Sequence, residues 1–231
     1  SPRERMRIGE LAISKEMFSK GLCLIESISE DVQPTYFEVL TALALWWFKE
    51  ENVEYIVLET GLGGRVDSTN VVDSEWVGIS NIALEHTEFL GDTLSKILIE
   101  KCGIVNSKAK VFDALTQPQL GFELKNEVDR LGGEYLGNIE GSKYFEVLDK
   151  KLGFMKRNYI LALCLVGEVL GVEFSDKEID DLINTHSWTA RMQSVFYGAQ
   201  LWVLDGAHNE QAMIELVKLV KVKYPKQKFK I

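Results

Sequence analysis

Short runs of β-forming apolar residues, separated by helical patterns, dictate most of what this chain can fold into. Tyr55-Ile56-Val57-Leu58, Trp76 to Ile82 and Lys110-Val111-Phe112 are such runs. The first is a short continuous apolar run rich in β-formers, which fits a buried parallel strand, and the other two read as the next strand and a further strand candidate. Asp92 or Thr93 opens a helix that runs through Leu94, Ile97 and Leu98 and ends at Gly103. Pro118 to Leu131 is helical too. Strands alternating with helices predict an α/β domain with a mostly parallel sheet.

The flanks add helices. Ser14 caps a helix reaching about Ile28, with Phe18, Leu22 and Ile25 at helical spacing. Thr35 and Glu38 form a capping box before a helix of about Tyr36 to Glu50. That helix is apolar on nearly every side, which predicts burial between a sheet and another layer. Downstream, Gly137 to Gly153 is polar and poorly patterned and reads as loop or short hairpin. Met155 to Leu170 is a helix closed by Gly171, and Ser175 with Glu178 caps another ending near Asn184. Ser194 to Tyr197 and Leu201 to Leu204 read as strands around Gly198, and Glu210 to Tyr224 as a helix. A boundary near Ala190 divides the chain into domains 1–190 and 191–231. Both ends read as cuts. Ser1 opens on a charged segment and Lys228 to Ile231 reads as the start of a strand, so an internal fragment is expected.

The chain carries 26 Lys and Arg against 35 Asp and Glu, a net charge of −9. An acidic body argues against an electrostatic grip on nucleic acid or anionic lipid. No apolar run reaches the roughly 18 residues of a membrane span. No signal peptide opens the chain. Cys23, Cys102 and Cys164 are odd in number, scattered and without metal-ligand spacing, so they read as reduced thiols. These features together predict a cytoplasmic protein.

Ligands of an open parallel sheet bind outside the carboxyl ends of its strands. Glu59 ends the first apolar run, His86 follows the second by a few residues, and Lys101 closes the next helix. A carboxylate and a neutral imidazole there suit a shared divalent cation such as Mg²⁺. Taken singly, Glu59 serves equally as a turn cap, His86 as a loop histidine and Lys101 as a cation facing a helix dipole. The turn Gly61-Leu62-Gly63-Gly64-Arg65 lacks the dinucleotide fingerprint. Asp205-Gly206-Ala207-His208-Asn209 follows a strand and leads into a helix, a natural place for an anion or ribose. No Gly-x-x-x-x-Gly-Lys-Ser/Thr loop and no Gly-x-Ser-x-Gly elbow occurs.

An ordered set of segments resembles folylpolyglutamate synthase and dihydrofolate synthase, of the Mur-ligase superfamily. They are Arg3 to Arg7; Thr35 to Ala42; Leu58-Glu59-Thr60-Gly61-Leu62-Gly63-Gly64-Arg65-Val66-Asp67-Ser68-Thr69-Asn70; His86 to Thr93; Glu100 to Ile104; Arg191-Met192; and Leu204 to Asn209. The resemblance covers nearly the whole chain. It implies a P-loop-type ATPase domain, here without its phosphate loop, followed by the start of a smaller Rossmann-like domain. It implies that ATP phosphorylates a pterin-linked carboxylate and that the amine of L-glutamate attacks the acyl phosphate. Glu59 and His86 would be Mg²⁺ ligands, joined by Lys101 in carbamylated form. Asn158 would contact adenine, Arg191 the ATP phosphates and Asp205 the nucleotide. His208 would lie near the phosphates or glutamate, giving it and Lys101 the catalytic roles. Thr35, Tyr36, Phe37, Val66, Asp67 and Ser68 would line the pterin site. The partners implied are ATP, L-glutamate and folate or dihydropteroate, acting on a monomeric parent without nucleic acid or membrane.

Departures from the family pattern are Glu85 for Asp before the histidine, Met155 for Gln, Gln193 for Glu and Glu210 for Pro. Without a phosphate loop the fragment by itself is expected to be inactive. Another Mur-type amino-acid ligase, or a non-catalytic pterin-binding remnant, is the alternative reading.

Overall fold

The computed structural model describes residues 1–29, 31–149, 156–185, 192–207 and 210–229. Three parallel strands form its centre: β3 (Trp76–Ile79), β4 (Lys110–Asp113) and β5 (Glu134–Asn138), in the order β3-β4-β5. Trp76 lies opposite Lys110 and Ile79 opposite Asp113. Alternation sends neighbouring side chains to opposite faces. Val77, Ile79 and Val111 point to one face, against Ile97 and Leu98 of α4 (Leu94–Cys102) and Leu124 and Val128 of α5 (Pro118–Leu131). Phe112 points to the other face, into a cluster with Ile160 and Leu161 of α7 (Lys156–Leu170). Gly78 admits Leu161 and Leu165 of that helix: a Cβ there would stand 2.8 Å from Leu165. The expected α/β architecture with a parallel sheet is what the chain adopts, with helices on both of its faces.

A third cluster stands apart from the sheet. It joins the hairpin β1 (Arg7–Ile8) and β2 (Leu11–Ala12) to α1 (Lys15–Ile28) and α2 (Tyr36–Glu50). Met6, Ile13, Ile25, Leu40, Leu43 and Trp47 fill it. α2 is therefore packed on helix and hairpin rather than on the sheet, which corrects the expected placement between a sheet and another layer. Its capping box is present: the Glu38 amide donates to Thr35 Oγ1 at 3.3 Å and the Thr35 amide to Glu38 Oε2 at 2.6 Å.

Three further expectations change. Tyr55 to Leu58 is not a strand. Tyr55 is 59% and Val57 95% exposed, and no described residue offers this segment a ladder of backbone hydrogen bonds. An apolar β-forming run cannot become a buried strand without such a partner. The region from Gly137 onward is more regular than its polarity suggests. It holds the end of β5, a 3₁₀ turn at Ile139–Gly141 and α6 (Tyr144–Asp149). Ile139, Tyr144 and Leu148 are buried there, so three apolar residues at wide spacing suffice to seat a short helix. The terminal strand is not seen either: Lys228 and Phe229 are irregular, and Lys230 and Ile231 lie outside the described residues.

Beyond α8 (Asp176–Thr185), β6 (Gln193–Tyr197) and β7 (Gln200–Leu204) pair antiparallel around Gly198, as expected, and α9 (Glu210–Lys223) follows. Cys102 and Cys164 are buried and Cys23 is exposed; all three are free thiols. Burial pushes the Cys102 thiol up to about 12. Among the described residues no helix is long and apolar enough to cross a membrane.

Thr35→Ala removes the acceptor for the Glu38 amide and should lower stability by about 1 kcal/mol. Chemical denaturation with an unchanged slope and a lower midpoint checks this.

Candidate functional site

The glycine turn after Leu58 has no secondary structure to hold it, so side chains must. Asp67 does most of this. Its Oδ2 accepts the amides of Gly61 at 2.8 Å and Leu62 at 2.9 Å, and its Oδ1 accepts the amide and hydroxyl of Thr69. Burial pushes the Asp67 carboxyl up, but these four hydrogen bonds outweigh it and hold the group below the usual carboxylate range. Asp67 also caps the 3₁₀ turn Ser68–Val71. Phe37 closes the turn from α2: a Cβ on Gly61 would stand 2.8 Å from its ring.

The same turn is seated on the carboxyl end of α4, which carries Lys101. A Cβ on Gly64 would stand 2.5 Å from the Lys101 carbonyl oxygen, and one on Gly103 would collide with Arg65 Cα and Cβ. The Arg65 amide donates to the Glu100 carbonyl at 2.9 Å. The Arg65 guanidinium grips the Glu100 carboxylate with Nη2 at 3.0 Å and Nε at 3.2 Å. Asn70 Nδ2 donates to the carbonyls of Arg65 and Gly103. Two backbones meet here with no side chain between them, which only glycine permits.

A cleft of about 680 Å³ opens where the turn meets the carboxyl ends of β3 and β4. Gly61, Leu62 and Gly63 form one wall. Ser80 and Asn81 follow β3, and Thr116 follows β4. Asn81 Oδ1 accepts the Thr116 amide at 3.1 Å and hydroxyl at 3.0 Å, tying the two strand ends together. His86 lies on the rim with φ of 51°, a left-handed conformation uncommon for a side-chain-bearing residue and concentrated at functional sites. Lys101 is half-buried in the cleft and its ammonium meets no hydrogen-bonding or ionic partner among the described residues. Lys156, Arg157 and Asn158 of the first turn of α7 form the facing wall, and Ala212 and Glu215 of α9 border it.

The structure thus brings together His86, Lys101 and Asn158, three of the residues singled out in the sequence. Glu59 is exposed and outside the cleft lining, though its neighbour Thr60 lines it. Asp205 is also outside; its carboxylate accepts the Met192 amide and the Ala207 amide, each at 2.8 Å. Arg191 and His208, with Met155, lie outside the described residues. Thr35, Tyr36, Phe37, Val66, Asp67 and Ser68 do not line the cleft. Phe37 and Asp67 meet at Gly61, on the outer side of the glycine turn, with Tyr36 62% and Val66 78% exposed. Among the described residues no three His, Cys, Asp or Glu side chains are placed to hold a metal ion.

Comparison with known proteins decides the kinship. No protein-family model matches the chain. The folylpolyglutamate synthase of Saccharomyces cerevisiae is 31% identical over 247 aligned positions, spanning 93% of this chain. The chain is a relative of the folylpolyglutamate synthases. It spans about 44% of the length of the yeast protein. The fold agrees as well. The structure of E. coli FolC in complex with DHPP and ADP superposes with a TM-score of 0.82 at 27% identity, covering 98% of this chain and 57% of that one. A bifunctional folylpolyglutamate synthase/dihydrofolate synthase from Yersinia pestis, complexed with AMPPNP and a Mn ion, gives 0.78 at 28% identity, covering 95% and 56%.

In this folylpolyglutamate synthase relative, Ser80, Asn81, Thr116, Lys156 and Arg157 are cleft residues that sequence reasoning does not single out. The apolar run Trp76 to Ile82 draws Ser80 and Asn81 into a strand, but β3 ends at Ile79. A Ser-Asn pair after an apolar run, at a strand's carboxyl end, is the signal that could have found them.

Gly64→Ala and Gly103→Ala should each destabilise the protein by about 1–3 kcal/mol, because backbone on both sides leaves no room to yield. Calorimetry checks this. For Asp67 the sign follows from its lowered folded value. Its stabilisation is present above the unfolded value of about 3.9 and is lost as pH falls below it. Asp67→Asn should therefore lower stability at pH 7 and flatten the acid-side loss, measured as melting temperature from pH 7 to pH 3.

Proposed function

We propose that this chain is the central part of an ATP-dependent ligase that joins L-glutamate to the carboxylate of a folate or dihydropteroate. The observation that carries the reading is the convergence of the glycine turn, His86, Lys101 and Asn158 on one cleft at the strand ends. It occurs in a chain 31% identical to a folylpolyglutamate synthase over 93% of its length. Residues 1–190 would form the ATPase domain and 191–231 the start of the second, in a monomeric cytoplasmic protein without nucleic-acid or membrane partners. The reaction activates the folate-side carboxylate as an acyl phosphate, which the glutamate amine attacks to give an amide, ADP and phosphate.

The chain's own residues divide the work between the two sides of the glycine turn. On the cleft side, Asn158 would meet the adenine; by resemblance Arg191 and Asp205 would serve the rest of the nucleotide and His208 the phosphates or glutamate. On the outer side, Thr35, Tyr36, Phe37, Val66, Asp67 and Ser68 would receive the pterin. Of these, Asp67 has both oxygens committed to the turn, so its contribution is to shape that surface rather than to offer a free acceptor. Tyr36 and Val66 supply exposed apolar area suited to a flat ring.

Mg²⁺ would accompany ATP and neutralise phosphate charge. Glu59, His86 and carbamylated Lys101 would be its protein ligands. As they stand, Glu59 and His86 offer one carboxylate and one imidazole. That falls short of the oxygen shell a hard cation takes, and the lysine is a cation. Carbamylation would turn the half-buried, unpartnered amine into the missing anion.

In the full-length protein, Lys101→Ala should nearly abolish folate- and glutamate-dependent ADP release with little change in melting temperature. Added acetate should restore part of it. A lysine that merely faces the α4 dipole would instead cost about 0.3–1 kcal/mol of stability and leave turnover intact. Glu59→Gln and His86→Ala should each lower turnover at least tenfold, since a placed charge stabiliser is worth about 2.7–4 kcal/mol in the barrier. Steady-state kinetics across a Mg²⁺ series separates these outcomes.

A further inference from the structure

Arg157 ties the wall of the cleft that faces the glycine turn to the strand ends. Arg157 is 14% exposed and its guanidinium is fully engaged. Nε donates to the Ala114 carbonyl at 2.8 Å, Nη2 to the Leu115 carbonyl at 2.6 Å and Nη1 to Glu140 Oε1 at 2.7 Å. Ala114 and Leu115 are the residues just past β4, and Glu140 sits in the 3₁₀ turn past β5. A single fork thus fastens the first turn of α7 to the carboxyl ends of two strands. The planar guanidinium makes this possible, since its donors are fixed relative to one another.

The acceptors are themselves fixed. Asp113, fully buried at the end of β4, accepts the Leu115 amide at 2.8 Å, the Tyr135 hydroxyl at 2.6 Å and the Asn138 amide group. Asn138 Nδ2 also donates to the Leu115 carbonyl at 3.0 Å, and Asn138 Oδ1 accepts the Glu140 amide at 2.9 Å. Every group that holds Arg157 is thereby anchored in the sheet.

Asn158, the next residue, has the opposite character. It is exposed in the cleft, and its carboxamide has no hydrogen-bonding partner among the described residues. No described residue orients that side chain, which leaves the backbone it grows from, and that backbone is the turn Arg157 fastens. A misplacement of about 1 Å at a recognition group costs up to about a hundredfold in rate.

We propose that Arg157 is a positioning residue for base recognition: it fixes the first turn of α7 and so sets where Asn158 presents its carboxamide to the nucleotide. This rests on the reading of the cleft as an ATP site. Its guanidinium is committed to Ala114, Leu115 and Glu140, so Arg157 acts through the backbone it holds. Its removal should loosen discrimination between adenine and guanine nucleotides rather than slow the chemistry.

The test uses the full-length protein and its Arg157→Gln and Arg157→Lys variants, with ATP and GTP as alternative nucleotides. The expected result for Arg157→Gln is an ATP KM raised about tenfold, the loss of one placed hydrogen bond, with kcat within about twofold. The ATP-over-GTP ratio of kcat/KM should fall with it, and the glutamate KM should stay unchanged. Arg157→Lys, which keeps the charge but reaches one carbonyl at a time, should fall between, and it carries the test if Arg157→Gln does not fold. An unchanged ATP KM and ratio in a folded variant overturns the proposal. So does a parallel worsening of every substrate together with a lowered melting temperature, the signature of a purely structural ion pair. The ligase reading fails separately, if the unsubstituted protein releases ADP without requiring folate and glutamate. The ATP-over-GTP ratio then still decides the role of Arg157.

Discussion

The seam between the glycine turn and the end of α4 is the contact on which the rest of the site depends. Gly64 and Gly103 let two backbones touch, and the Arg65 amide donates across the join to the Glu100 carbonyl. The visible ion pair Arg65–Glu100 is the weaker part. Its arginine is 61% exposed, and exposed pairs contribute about 0–1 kcal/mol even with good geometry. Close backbone packing contributes more, because any added atom must displace main chain rather than a side chain. The consequence is positional. Lys101 projects from the last turn of α4, so the seam sets its height against Gly61 and Gly63, which share its cleft.

The sheet supplies the opposite wall by a different route. The backbone groups past the ends of parallel strands need hydrogen-bonding partners, and here side chains supply them. Arg157 serves Ala114 and Leu115, Asn138 serves Leu115, and Thr116 turns back to Asn81. Asp113 organises this region from inside. Its carboxyl is raised by burial, opposed by the Tyr135, Leu115 and Asn138 hydrogen bonds and by the nearby Arg157 charge. Burial and hydrogen bonding to Asp113 push the Tyr135 hydroxyl the same way. A buried carboxylate of this kind is a costly choice for stability alone. Its return is a rigid strand end, and rigidity at strand ends is what a cleft built there requires.

How far the sequence foretold this depends on whether the cause was local. The capping box at Thr35 and Glu38, the Pro118 start of α5, and the turns at Gly171 and Gly198 rest on neighbours within four residues, and all are found as expected. His86, Lys101 and Asn158 reach one cleft because parallel strand ends lie on one side of a sheet, which the strand–helix alternation already implied. What failed was non-local. Tyr55 to Leu58 has every intrinsic mark of a strand and no ladder to join. β5 and α6 hide in a polar stretch because their partners, Val111 and the α7 face, lie well away in sequence. Arg157 was invisible for the same reason: its acceptors are 42 and 43 residues distant.

Asp67 shows why motif resemblance and physical role must be kept apart. On resemblance alone Val66, Asp67 and Ser68 would line a pterin site, yet Asp67 directs both oxygens inward and Asn70 holds the seam. Phe37 packs on the Gly61 that Asp67 also holds. One short turn therefore lines the cleft with its glycines while Phe37 and Asp67, neither of them in the cleft lining, both meet it at Gly61. Any ligand that shifts the turn from the outer side must move Gly61, and with it the wall facing Lys101. The two faces of this turn share one backbone, so a substitution that reshapes either face also moves the other.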